Sequence, residues 1–137
     1  MTVFVDSSAW FAMLVKRDKN NARAKVILRD ATDRITTDHV LVETWLLLNA
    51  RYRQGAGDAF WAHLRAGAAR VEKVLPADLE AAWGIGVAFP DQQFSIVDRT
   101  SFAVMERLSI DRAASFDDDF AVYRYGAGRK KAFEVLR

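Results

Sequence analysis

The chain has no cysteine among its 137 residues, which excludes a disulfide framework, a zinc–thiolate site and a cysteine nucleophile. Its two histidines, His39 and His63, stand alone without ligand spacing and are read as structural. Only two prolines, Pro76 and Pro90, punctuate the chain, and no linker, repeat or low-complexity segment divides it. Long apolar runs are missing too. The densest, TWLLLN at 44–49, is far shorter than the ~20 residues a membrane span requires. The N-terminus, MTVFVDSSAW, lacks a basic region and a small-residue cleavage site, so no secretory signal and a cytoplasmic location are expected. Neither sign of charge dominates. Twenty basic residues stand against 18 acidic ones, a mildly basic balance compatible with a polyanionic partner.

What is present is enough apolar material, 51% of residues, for the core of one domain over 1–137. Short β-rich runs at 2–5, 34–37, 70–74, 112–116 and 132–136 read as strands. Between them, helical spacing covers 7–16, 22–31, 38–53, 58–67, 76–89 and 95–108, with a short helical turn in DDDFAVYRYG. Strands that alternate with helices predict βαβ units, hence a three-layer α/β/α fold around a mostly parallel five-stranded sheet. Ligands of such sheets collect outside the carboxyl ends of the strands. Asp6, Asp38 and Asp117 each follow a predicted strand directly.

Each acid also has an ordinary reading. Asp6 in VFVDSSAW and Asp38 in TTDHVLVE both occupy favoured N-cap positions, worth about 1 kcal/mol, and Asp38 is assigned to that role. Glu43 lies inside the apolar helix DHVLVETWLLLN, where a glutamate must reach solvent or find a partner. Asp98 completes Ser95-Ile-Val-Asp98, a capping-box pattern, with Ser101 three residues on along the same helical face. In SFDDDF, Asp117 is nearest the strand end, and Asp118 and Asp119 receive no role. Four carboxylates gathered at one sheet edge stay ionised at low cost only with a cation among them. All-oxygen ligands suit a hard divalent ion, Mg²⁺ or Mn²⁺. The chemistry such ions support, neutralising phosphoryl oxygens and acidifying water, matches phosphodiester hydrolysis.

FVDSSAW at the start, Glu43 in an apolar helix, then FSIVDRTSFAVMERL and ASFDDDF in that order resemble the PIN-domain ribonucleases, and among them the VapC-type toxins of toxin–antitoxin pairs. The similarity spans essentially the whole chain. It implies a metal-dependent endoribonuclease with Asp6, Glu43 and Asp98 as the metal-binding core and Asp117 as the fourth acid. Ser7 and Ser101 fall where the family places small hydroxyls near the ion. The resemblance also implies an RNA substrate, a homodimer, and a cognate antitoxin whose tail blocks the acidic groove.

Three other functions share parts of this pattern. A haloacid-dehalogenase-like phosphatase would carry an Asp two residues after Asp6, where this chain has Ser8. A phosphoacceptor receiver domain would carry an acidic pair after the first strand, where serines follow. A PIN-like module that binds RNA or a protein without cutting retains the same acids. For phosphate contacts the candidates are Arg99, Arg112 and the run Arg129-Lys130-Lys131, and the four tryptophans are assigned to core or helix packing.

Overall fold

The computed structural model describes residues 1–137. Five strands are present: β1 (Thr2–Val5), β2 (Asp33–Thr37), β3 (Arg70–Glu72), β4 (Arg112–Ala114) and β5 (Glu134–Leu136). The helices are α1 (Ser7–Leu14), α2 (Asn21–Asp30), α3 (Asp38–Arg51), α4 (Ala56–Arg65), α5 (Pro76–Ala88), α6 (Ile96–Arg107) and the short α7 (Asp119–Val122). A 3₁₀ turn at Ala127–Arg129, which the sequence patterns do not signal, precedes β5.

The strands lie in the order β3-β2-β1-β4-β5, and every neighbouring pair is parallel. The sheet is therefore wholly parallel, where the sequence predicted a mostly parallel one. No two successive strands are joined by a hairpin, and each connection is a crossover long enough to restore direction. β1 occupies the centre, and its Val3, Phe4 and Val5 are fully buried, as a strand covered on both faces requires. Right-handed crossovers place the helices of the β1-to-β2-to-β3 path on one face. They place those of the return to β4 on the other. α1 packs on α2 and α3, α3 on α4, and α5 on α6, while α3 also meets α6 past the strand ends.

Helix boundaries follow local chemistry. Thr37 stays extended (φ −118°, ψ 164°), and its hydroxyl accepts the Val40 N–H at 3.1 Å. Thr37 therefore caps α3, and the cap assigned to Asp38 is corrected. Asp38 is the first helical residue, and its Oδ1 accepts the N–H groups of His39 and Val74, both at 3.0 Å. Gly55, in the left-handed region at φ 88°, turns the chain from α3 into α4, a conformation an L side chain would strain.

Gly86 solves a packing problem inside α5. A Cβ there would collide with the Arg99 guanidinium, which lies across it and donates to the Phe94 carbonyl at 3.0 Å. At the other end of the α5–α6 pair, Arg107 clamps Asp78 through Nε at 2.9 Å and Nη2 at 3.0 Å. Asp78 is only 3% exposed and also accepts the Leu75 N–H at 2.8 Å. Burial alone would raise this carboxyl, but the Arg107 bonds and charge, with the Leu75 N–H, hold it below its ordinary value.

Aromatic rings fill the space between α6 and the sheet. Phe102 stacks on Tyr123 at 4.3 Å and meets Phe120 edge-on at 4.9 Å, and Phe120 stacks on Phe4 of β1 at 6.1 Å. Trp10 is buried against Phe60, and Trp45 donates to Asp58 at 3.0 Å. Trp61 and Trp83, expected in packing roles, are instead 48% and 72% exposed. They lie on outer helix faces with no layer above them.

Arg107→Ala would leave the buried Asp78 carboxylate without its cation. Urea denaturation of that variant should show a loss of roughly 2 kcal/mol, the scale of hydrogen bonds to a charged group.

Candidate active site

β1 has β2 on one side and β4 on the other, so the chain leaves the centre in both directions. The crevice beyond the carboxyl ends of β1 and β4 is the topological switch point, where open parallel sheets bind ligands. Asp6 is the first residue past β1, and the loop past β4 is Ser115-Phe116-Asp117.

Asp6 stands at the N-cap position of α1 but makes no side-chain cap bond. Its Oδ2 accepts the hydroxyls of Ser8 and Ser115, both at 2.9 Å. Those hydroxyls in turn accept backbone N–H groups, Ser8 from Phe116 at 2.9 Å and Ser115 from Asp117 at 3.1 Å. Asp6 thus fastens the loop after β4 to the start of α1. Ser8, where a phosphatase of the haloacid-dehalogenase type would need an acid, serves this network. Neither Ser8 nor Ser115 was singled out as a site residue from sequence. The signal for Ser115 was its position at the end of a strand adjacent to β1.

Glu43 sits in the second turn of α3, half-buried, and accepts the Ser7 hydroxyl on Oε1. The same Ser7 oxygen lies 3.5 Å from Asp6 Oδ1, so Ser7 links the two acids. Asp98 completes its capping box: Ser95 Oγ accepts the Asp98 N–H at 3.0 Å, and Asp98 Oδ2 accepts the Ser95 N–H at 3.1 Å. Oxygens of Asp98, Asp117 and Asp119 all lie within 4.8 Å of one another. Asp119, to which the sequence reading gave no role, therefore joins the cluster. Phe120, fully buried, sets the phase of α7 and turns Asp119 inward, an anchor the apolar residue of SFDDDF could have signalled. Asp118 points away and pairs with Arg137 at 2.9 Å.

Glu43, Asp98, Asp117 and Asp119 share the walls of one cleft of about 550 Å³ with Ser7 and Ser8, and Asp6, 2% exposed, lies behind those hydroxyls. Ser101 is not brought there. It is fully buried, and its hydroxyl donates back along α6 to the Val97 carbonyl at 2.7 Å. The basic candidates also lie outside the cleft. Arg99 donates to the Phe94 carbonyl and lies against Gly86 of α5, Arg112 pairs with Glu134 at 2.9 Å, and Arg129 stacks over Phe89.

The electrostatics are those of crowded acids. Burial pushes the Asp6 carboxyl up to about 6, with the Glu43 charge adding to it, although the Ser115 and Ser8 hydroxyls and the Ser7 N–H oppose the rise. Asp98 is pushed up to about 8, first by burial, then by its hydrogen bond to Asp119 and the nearby Asp6 charge, against the Ser95 N–H. Asp119 is raised by burial and by the Asp117 and Asp118 charges. An oxygen-only set held this closely, with its charge repelled from within, fits a hard divalent cation.

A family model described as the PIN domain matches residues 3–124. The chain is 40% identical over 121 residues to the 23S rRNA-specific endonuclease VapC20 of Mycobacterium tuberculosis, in strains CDC 1551 / Oshkosh and H37Rv, covering 87% of this chain and 92% of that protein. The crystal structure of M. tuberculosis VapC20, described as a sarcin–ricin loop cleaving toxin, superposes with a TM-score of 0.79 at 37% identity, over 85% of this chain and 91% of the other. The structure of FitAcB from Neisseria gonorrhoeae shares the fold at 14% identity and a TM-score of 0.60, over 87% of this chain and 89% of that one.

An acid whose folded pKa is raised binds more protons folded than unfolded, so stability falls as pH rises between the two values. In EDTA, the melting temperature of the wild type should therefore fall between about pH 4, the ordinary carboxyl value, and pH 8, the value to which Asp98 is pushed. Asp98→Asn keeps an oxygen for the Ser95 N–H and removes the charge. That variant should melt higher than wild type at pH 8 and show a flatter profile. A profile identical to wild type would argue against repulsion within the cluster.

Proposed function

The chain belongs to the PIN-domain family as an endoribonuclease of the VapC toxin type, and from that premise we propose that it cleaves the sarcin–ricin loop of 23S rRNA at a divalent-cation site built by Asp6, Glu43, Asp98 and Asp117. The observation that carries this reading is the meeting of Glu43, Asp98 and Asp117 in one cleft at the switch point of the sheet, with Asp6 buried directly behind its serine hydroxyls. Mg²⁺ or Mn²⁺ is the proposed ion, and Asp119 offers one more oxygen to it. When bound, such an ion supplies positive charge to the phosphoryl oxygens and acidifies water for in-line displacement at phosphorus.

The protein's own groups prepare that site. Ser8 and Ser115 hold Asp6 by one oxygen, so the carboxylate cannot rotate freely. Ser7 holds Glu43 in the same way. The Ser95 N–H holds Asp98 Oδ2 and leaves the other oxygen to the cleft. These bonds preorganise the acids against their mutual repulsion, so little rearrangement is needed when charge develops on the substrate. The proton that the metal-free protein retains on Asp98 near neutral pH must leave when the cation enters, so ion uptake is coupled to proton release.

The proposed partners are an antitoxin chain and a second copy of this chain. Two apolar surfaces support association. Val42, Leu46 and Trp61 line a groove between α3 and α4, and Leu79, Trp83 and Val87 form an exposed stripe along α5. Exposed patches of this kind mark protein–protein contacts, and we assign the α5 stripe to the homodimer. No helix is long and apolar enough to cross a membrane. A ribosomal RNA substrate places the proposed activity in the cytoplasm.

Incubation of 23S rRNA with wild type and Mg²⁺ or Mn²⁺, followed by mapping of the cleaved ends, should reveal one cut within the sarcin–ricin loop, lost in EDTA. Asp98→Asn should slow that cut roughly 100-fold or more, the scale of removing a principal electrostatic group. Full-rate cleavage by the variant would sink the assignment of Asp98. Trp83→Lys should convert a dimer to a monomer in analytical ultracentrifugation while leaving the fold intact by circular dichroism; an unchanged sedimentation coefficient would remove α5 from the interface.

A further inference from the structure

The cleft presents RNA with a problem. Its walls carry Glu43, Asp98, Asp117, Asp119 and Asp18, and every one of these charges repels a phosphate. Among the side chains that line it there is a single cation, Arg51, the last residue of α3. Glu43, Leu47 and Arg51 repeat at intervals of four, so they share one face of the helix, and all three line the cleft. Eight residues separate Glu43 from Arg51, about 12 Å along the axis, a span of a few nucleotides.

Arg99, Arg112 and Arg129 are each engaged by a carbonyl, a carboxylate or a ring of the protein; Arg51 is not. Its guanidinium enters none of the ion pairs of the chain, although carboxylates share its cleft. Two further guanidiniums gather around the adjacent ring. Arg17 donates to the Arg51 carbonyl at 2.8 Å and lies 5.5 Å from the centre of Tyr52, and Arg53 lies 5.0 Å from the same centre. The negative end of the α3 dipole accounts for Arg17, which bonds a terminal carbonyl. Arg51 itself lies in that last turn, where the dipole favours a cation, yet its guanidinium pairs with none of the carboxylates that share its cleft.

We propose that Arg51, flanked by Arg17 and Arg53 about Tyr52, is the subsite that binds RNA phosphates beside the scissile one and so fixes which phosphodiester reaches the acids. The inference rests on the endoribonuclease reading above and deepens it. A planar guanidinium fork matches a phosphate with two parallel hydrogen bonds, and the order of charges along α3 provides the register: a phosphate on Arg51 leaves one a few nucleotides along the strand to the acid cluster. An acidic peptide would meet the same acids with no group to place among them, so continuity between the two charges favours a nucleic acid.

The test uses a fluorescein-labelled RNA hairpin of the sarcin–ricin loop, with Asp98→Asn as background to prevent cutting. Binding is followed by anisotropy in Mg²⁺ across about 50–200 mM KCl, the range over which phosphate contacts are read from salt dependence. Arg51→Ala should weaken binding several-fold at the lowest salt and reduce the slope of log K against log salt by about 0.7–1. Arg51→Lys should keep the slope and lose part of the affinity, since it keeps the charge and loses the fork. Arg29→Ala, an exposed cation at the far end of α2, should change neither. Unchanged affinity and slope in Arg51→Ala, alongside cleavage by the parent enzyme, would overturn the subsite and leave the nuclease reading standing; that outcome is also the one expected if the arginines serve an acidic partner instead. A wild type that fails to cut in Mg²⁺ or Mn²⁺, with binding that still depends on Arg51, would overturn the nuclease reading alone.

Discussion

The repulsion among carboxylates at the switch point of the sheet is the constraint that the surrounding structure is arranged to bear. Asp6, Glu43, Asp98, Asp117 and Asp119 come from the ends of β1 and β4 and from α3, α6 and α7. Water would separate and solvate such charges, whereas this fold buries two of them. Burial without a cation costs free energy, visible in the raised pKa values of Asp6 and Asp98. What holds the acids in place is a set of short local bonds from Ser7, Ser8, Ser115 and the Ser95 N–H. Glu43 and Asp98 each keep a second carboxylate oxygen outside these bonds. Stability is given up at the site and recovered in the core, a division common where pKa values are strongly shifted.

That recovery has a definite location. Phe102 of α6, Phe120 of α7 and Phe4 of β1 are all fully buried and touch in series. The residues that carry the acids are thus next to the residues that carry the packing: Asp98 is four positions before Phe102, Asp119 directly precedes Phe120, and Asp6 follows Phe4 by two. An aromatic core of this kind contributes through area and ring geometry together. α6 is fixed a second time by Arg107 on Asp78 and by Arg99 across Gly86. A helix held at both ends and along one face cannot retreat from the repulsion at its first turn.

Much of this was legible in the residues alone, and the reasons differ from element to element. The βαβ alternation was plain because strands such as TVFV are short β-branched and aromatic runs set between helical segments, which leaves a parallel sheet as the consistent architecture. Asp6, Glu43, Asp98 and Asp117 stood out as candidates because each interrupts an apolar segment or follows a strand. Asp119 was not, because three adjacent acids look alike until Phe120 fixes the rotation of the turn. Ser115 and Ser8 were hidden for another reason: a hydroxyl gains its meaning from what it touches across more than a hundred residues of sequence. Thr37 displaced Asp38 as the cap because the chain stays extended one residue longer than the polar pattern suggests. The basic residues misled most. Arg99, Arg112 and Arg129 are all engaged with protein groups, while Arg51, unremarkable in ARYR, is the one placed in the cleft.

Capping and chemistry had looked like rival explanations of Asp98, and the geometry shows why they are not. A carboxylate has two oxygens, and the capping box engages only Oδ2. With a glutamate in this position the extra methylene would let the head group swing, and a cap of that kind leaves the free oxygen poorly directed. The shorter aspartate ties its one oxygen to the backbone of its own first turn, so the other is aimed by the helix itself. Since α6 is in turn anchored by Phe102, Arg99 and Arg107, that aim is inherited from the core and does not depend on side-chain rotamer entropy alone. The capping box therefore fixes one oxygen of Asp98 to its own helix start, and the packing of α6 carries that carboxylate to within reach of Asp117 and Asp119. Removing the cap while keeping the carboxylate would loosen the site without changing its charge.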